Sequence, residues 1–134
     1  MQPDELPVLL ANLDPVLFPG SFVFTTVERV PKNVAPAATV LEDEGTTLIL
    51  EKEVADRLGL KYSFVAAKIT LSVTSALESI GLTAAVSGSL AAAGISCNIL
   101  AGSFHDHLFV PIARGEDAMR VLRDLADAAA GEKR

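Results

Sequence analysis

The sequence contains no tryptophan, one cysteine and two histidines among its 134 residues. A single cysteine, Cys97, excludes an internal disulfide and fits a reducing compartment, so we expect a cytoplasmic location. Aromatic residues make up only 5% of the chain, whereas hydrophobic residues make up 50%. The core of a compact α+β domain must therefore be built mainly from Ala, Val, Leu and Ile.

Clusters of basic residues are also lacking, and the formal net charge is −6. Nucleic-acid binding requires grouped Lys and Arg side chains that neutralise phosphates, so no nucleic-acid partner is predicted. The N-terminal segment, MQPDELPVLL, lacks the basic residues that begin a secretory signal.

One uncharged stretch, residues 79–104, is long enough to cross a bilayer. Its glycines and serines, and a change of apolar period part-way along it, instead favour a buried helix followed by a buried strand. No membrane association is predicted.

Apolar periodicity predicts two halves of similar organisation. The first half reads α-β-β-β-α: a helix near residues 4–13, strands at 22–27, 38–42 and 46–51, and a short helix that ends at Gly59. The second half reads β-α-β-β-α: a strand at 64–73, a helix from Leu82 to Ala93, strands at 95–101 and 107–112, and a helix over 118–129. An antiparallel sheet with helices on one face follows from this order.

The second half resembles the ACT domain family. The resemblance is carried by a Ser-rich loop after a strand, GLTAAVSGSLAAAGIS (81–96), a second strand, and HDHLFVP (105–111) ahead of the last helix. EGTTLIL (44–50) is similar to small stand-alone bacterial proteins with two ACT-like units in one chain.

The resemblance implies ferredoxin-like ACT-type βαββαβ units, with an N-terminal ACT-like half at 1–61 and a C-terminal unit at 62–134 packed as one compact body. The second unit has no final strand in the sequence and must borrow one from the first half. The implied function is small-molecule sensing, with an amino acid as the ligand, without catalysis and without a cofactor. A homodimer and an unidentified protein partner are left open.

By resemblance, the ligand loop corresponds to Gly81, Leu82, Thr83 and Asp106. The backbone N–H groups that begin a helix favour a carboxylate, and an aspartate can accept hydrogen bonds from an ammonium group. On chemical grounds we add Asn98 and His105 to this set. The alternative is that Gly81 and Asp106 serve only as turn residues.

His105 and His107 raise two further hypotheses. Their spacing permits metal binding on a strand, but a stable zinc site needs three or four protein ligands. A small enzyme that uses His105, Asp106 or Cys97 would need a nucleophile, an adjacent base and an orienting group, and no motif supplies them. A structural or partner-binding protein with no ligand is a third alternative.

Lys68, Thr70 and Ser72 alternate with the apolar positions of one predicted strand, so they face away from the helices. Leu100 and Phe109 are predicted to share this face. This face must be solvated or paired: an apolar patch on it favours a dimer or a sheet-to-sheet stack, and the alternative is that the first half of the same chain covers it.

Overall fold

The computed structural model describes residues 5–132. The elements, in chain order, are α1 (Glu5–Ala11), β1 (Pro15–Leu17), β2 (Phe22–Val27), β3 (Ala38–Glu42), β4 (Gly45–Glu51), α2 (Lys52–Arg57), β5 (Val65–Leu71), α3 (Leu82–Ala92), β6 (Asn98–Ala101), β7 (Asp106–Pro111), a 3-10 helix (Ile112–Arg114) and α4 (Gly115–Glu132). Within residues 5–132, no helix is both long enough and apolar enough to cross a bilayer.

Within the described residues, seven strands form one antiparallel sheet in the order β3-β4-β2-β5-β7-β6, and β1 also pairs with β5. Strands β1 and β2 lie one after the other along the same edge of β5. Strand β1 pairs with the end of β5 at Ile69–Leu71, and β2 pairs with its beginning at Val65–Ala66. The Pro19–Gly20 break between them lets the chain change course while it stays at one edge of the sheet.

Strand β5 is shared by two ferredoxin-like units. In the second unit β5, α3, β6, β7 and α4 follow in chain order, and β1 lies on the free side of β5, where a final strand belongs. The first unit uses β2, β3, β4 and α2, and β5 is its last strand. The predicted α+β class is confirmed, and the borrowed strand is β1.

The larger core lies between the sheet and three helices, α1, α3 and α4. The helix predicted from Leu82 is α3, and its buried residues, Leu82, Val86 and Leu90, lie on one face. These side chains meet the inward-facing residues of β5 and β7, such as Ile69 and Leu108. Helix α2 covers a smaller core of Val23, Leu48, Leu50 and Ala55 at the other end of the sheet.

No helix of the described part of the chain covers the opposite face of the sheet, yet this face also buries apolar side chains. Phe109 is 1% exposed and Ala66 is fully buried. The ring of Phe109 lies 5.6 Å from that of Phe24 and 6.1 Å from that of Phe22. Strands β2 and β7 flank β5, and the small Ala66 between them leaves room for these rings to meet. The first half of the chain therefore covers part of this face.

Two parts of the sequence prediction are wrong in detail. Strand β6 begins at Asn98 rather than at residue 95, because the N–H of Ile95 donates to the carbonyl of Leu90 and Gly94 has a φ of 75° in the helix-ending turn. Strand β1 was not predicted, because the prolines on both sides of Val16 indicated a break.

Candidate functional site

Helix α3 begins at a glycine, and the structure gives a reason for it. Gly81 is the N-cap residue with a φ of 101°, a conformation that L side chains rarely adopt. A Cβ atom at this position would lie 2.9 Å from Cδ2 of Leu6. The space beside Gly81 is thus filled by α1, which packs close to the start of α3.

The first turn of α3 offers uncapped backbone donors. Gly81 supplies no side-chain cap and the first turn contains no acidic residue. Because the first N–H groups of a helix have no intrahelical acceptor and lie at the positive end of the dipole, Leu82 and Thr83 mark a point that favours an anionic group.

Asp106 reaches the same place from β7. A small cavity of about 40 Å³ is lined by Ser75, Leu77, Ser79, Leu82, Thr83 and Asp106. The structure therefore brings together three of the predicted site residues, Leu82, Thr83 and Asp106. The cavity has room for about one water molecule.

Burial raises the pKa of Asp106, and the neighbouring charge of His107 offsets part of this rise. Among residues 5–131, whose side chains are described, Asp106 makes no ion pair. A partly desolvated carboxylate without a cationic partner is a favourable acceptor for an ammonium group.

The other three predicted site residues do not line this cavity: Gly81 is the N-cap that precedes Leu82, and Asn98 and His105 lie elsewhere. Asn98 is exposed and pairs with Phe109 across β6 and β7, so it faces the helix-free side of the sheet. His105 lies in the β6–β7 turn, where its carbonyl accepts a hydrogen bond from the N–H of Gly102 at 2.9 Å. Its buried Nδ1 has no hydrogen-bond partner in the described part of the chain.

Ser75 and Ser79 were missed as cavity residues. Their signal in the sequence was the serine-rich segment between the strand and the helix, which reads as an ordinary loop. Only the packing of this segment against β7 shows that its serines face Asp106.

The two histidines point into different surroundings. His107 extends from β7 on the helix-free face, and its Nδ1 lies 2.9 Å from Oγ1 of Thr70. Among the described residues, no three His, Cys, Asp or Glu side chains are grouped as metal ligands.

Cys97 lacks the properties of a reactive thiol. It is half-buried at the edge of the larger core, and burial raises its pKa to about 11. The thiol is therefore protonated at neutral pH, whereas a nucleophilic cysteine requires a lowered pKa or an adjacent base.

Comparison with known families now identifies the fold. One family model described as an ACT domain matches residues 4–67, and a second ACT domain model matches residues 65–124. The chain belongs to the ACT domain family. The two matches meet within β5, the strand that both ACT units share.

Solved structures share this fold. A protein of unknown function from Vibrio cholerae, named as a possible transport protein, is 41% identical with a TM-score of 0.82, and the match covers 92% of this chain and 97% of that chain. The protein Atu0741 from Agrobacterium tumefaciens is 16% identical with a TM-score of 0.67, covering 84% and 87%. The regulatory subunit of aspartate kinase from Thermus thermophilus is 11% identical with a TM-score of 0.62, covering 83% and 95%.

No curated protein sequence matches the chain. ACT domains are regulatory rather than catalytic, they bind small molecules and they often form dimers. The tandem ACT matches support a ligand-binding regulatory module.

Proposed function

We propose that the protein is a non-catalytic sensor of a small amino acid, which binds where α3 begins. The ligand carboxylate accepts hydrogen bonds from the N–H groups of Leu82 and Thr83, and the ligand ammonium group donates to Asp106. The observation that carries this proposal is that Asp106 and the start of α3 line one cavity.

Electrostatics supports an amino acid over a simple anion or cation. The helix end favours negative charge, while the Asp106 carboxylate favours positive charge. A zwitterion satisfies both groups, whereas an anion alone would be repelled by Asp106.

The cavity of about 40 Å³ must enlarge to admit an amino acid. The segment between β5 and α3 is the part that moves in this proposal. Among the described residues, the only backbone hydrogen bond made by residues 74–80 runs from the N–H of Ser79 to the carbonyl of Ala76. Leu77 and Ile80 are 67% and 76% exposed, so little apolar packing holds the segment in place.

Signal output is proposed to occur through association, either with a second copy or with another protein in the cytoplasm. The free edges of the sheet, β3 and β6, are available for antiparallel pairing. Sedimentation with and without ligand measures whether the chain dimerises.

Thermal melting against a panel of the common amino acids tests the ligand. A ligand that binds only the folded chain adds about 2.7 kcal/mol at 100 times its Kd, which shifts the melting temperature by several degrees. The shift should disappear in Asp106→Asn and persist in Asp124→Asn, which removes an exposed carboxylate on α4. An unchanged shift in Asp106→Asn would exclude Asp106 as the ammonium acceptor. No shift with any amino acid would refute the sensor proposal.

A further inference from the structure

A second cavity, of about 260 Å³, lies on the helix-free face of the sheet. Its lining includes Ala38, Lys68, Leu100, Gly102, His107 and Phe109. Residues from β3 and β6, the two edge strands, line the same cavity because the sheet curls toward this face. The curl thus turns a flat sheet surface into a partly enclosed pocket.

Lys68 provides a cation at one side of this pocket. Its Nζ lies 4.2 Å from the ring centroid of Phe18 and 5.4 Å from that of Phe22. Burial lowers its pKa, and Glu51 partly counteracts this effect without forming an ion pair within the described residues. The ammonium group of Lys68 packs against aromatic rings and has lost part of its hydration. An anionic partner would stabilise it, because the ion pair compensates for the lost interactions with water.

His107, a diagonal neighbour of Lys68 on the adjacent strand, provides a neutral hydrogen-bond donor in the same pocket. Its pKa is lowered by burial first, then by the charges of Lys68 and His105, while Asp106 acts in the opposite direction. The imidazole is therefore neutral at pH 7. When the Thr70 hydroxyl donates to Nδ1 at 2.9 Å, the proton of the ring is on Nε2. Nε2 lies at the Gly102 end of the pocket, 3.7 Å from where a Cβ of Gly102 would be.

The rest of the wall is apolar. Phe109 and Leu100 belong to the apolar cluster that includes Phe22 and Ala66 on this face of the sheet. Ala38, at the start of β3, lines the pocket from the opposite edge. A pocket with two neighbouring polar groups in an otherwise apolar wall suits a small ligand with a polar end and an apolar body. The volume limits that body to about the size of one ring or a short branched chain.

We propose that this pocket is a second binding site, for a small carboxylate with an apolar body. The carboxylate bonds to Lys68 and to Nε2–H of His107, and the body packs on Leu100 and Phe109. This site does not depend on the proposed amino-acid site, which lies on the other face of the sheet and uses Asp106.

Benzoate is a suitable probe, and the histidine ring signals in proton–carbon NMR spectra report its binding. The chain has only two histidines, so the His107 signals are assigned with a His105→Gln variant. We expect the His107 signals to shift saturably with benzoate. Benzamide, which has the same shape without the charge, should bind about tenfold or more weakly, since one charge-assisted hydrogen bond contributes roughly that much.

Two variants and two controls test whether benzoate binds in this pocket and whether Lys68 is its partner. Lys68→Met should weaken benzoate binding about tenfold or more, whereas Lys61→Met, at an exposed lysine just before β5, should not change it. Leu100→Phe should abolish binding by filling the pocket, which provides a test that keeps Lys68 intact. Asp106→Asn should leave benzoate binding unchanged, even though it removes the proposed amino-acid site.

Several outcomes would overturn the proposal. These are no saturable shift of the His107 signals, equal binding of benzamide and benzoate, or unchanged benzoate binding in a folded Leu100→Phe protein. If the Lys68→Met protein melts like the parent chain and binds benzoate equally well, Lys68 is not the carboxylate partner and the assigned site is wrong.

Discussion

Asp106 and His107 are neighbours in β7, and their side chains reach opposite faces of the sheet. Asp106 lines the small cavity at the start of α3, and His107 bonds to Thr70 in the pocket on the helix-free face. Ala101 and Gly102 line both cavities. The β6–β7 hairpin is therefore a common wall of the two cavities.

Asp106→Asn should raise the melting temperature of the ligand-free protein at pH 7. The pKa of Asp106 in the folded chain is raised above the ordinary value of 3.8, so ionisation of this carboxyl disfavours folding. The gain should shrink as the pH falls through the folded-state pKa, and it should vanish below 3.8, where the carboxyl is protonated in both states. Melting curves from pH 3 to 8, with Asp124→Asn as control, measure this. A lower melting temperature at pH 7 would contradict the prediction.

The imidazole of His107 should titrate with a midpoint below 6.5, the ordinary value for histidine. The lowered pKa means that protonation disfavours the folded state, so the contribution of His107 to stability is lost as the pH falls below 6.5 through its folded-state pKa. Ring proton shifts between pH 4 and 8 give the midpoint directly. Lys68→Met should raise it, because the positive charge of Lys68 is one cause of the shift. A midpoint above 6.5 would show that a carboxylate controls this histidine instead.

Phe109→Ala should destabilise the protein by about 3–5 kcal/mol, the usual cost of removing a buried phenylalanine. Phe109 is 1% exposed and packs on Phe22 and Phe24. Phe104→Ala is the matched control, because Phe104 is 73% exposed in the β6–β7 turn. Its effect should remain within about 0.5 kcal/mol. Urea denaturation measures both, and equal effects would mean that the helix-free face has no packed core.

Gly81→Ala should cost about 1–3 kcal/mol, because its φ of 101° strains any side chain and the new methyl group meets Leu6. Gly88→Ala, inside the same helix, should instead stabilise by about 0.5–1 kcal/mol, since a Cβ there meets no atom within 4 Å.

The two causes at Gly81 can be separated. In a Leu6→Ala background the methyl group no longer meets a side chain, so the cost of Gly81→Ala should fall to the strain of the backbone alone. Chemical denaturation of the single and double variants gives the coupling energy. A coupling energy of zero would mean that the side chain of Leu6 is not the reason why position 81 requires a glycine.

Local patterns in the sequence determined most of the helices and strands. The apolar stripe of α3, the alternation of β5 and the acidic first turn of α4 depend on residues a few positions apart, so they are visible without a fold. The glycine that begins α3 and the aspartate of the hairpin were predicted as neighbours only through the resemblance to ACT domains.

Tertiary structure alone decided the rest. The three residues of β1 are too few for a period, and they form a strand because β5 offers an unpaired edge. The pocket that holds Lys68 exists because the sheet curls until Ala38 and Leu100 face each other, although they are far apart in the chain. The sequence by itself determined which residues are apolar and how they alternate. Only long-range strand pairing and sheet curvature determined which of them meet, because those contacts depend on where distant segments of the chain pack.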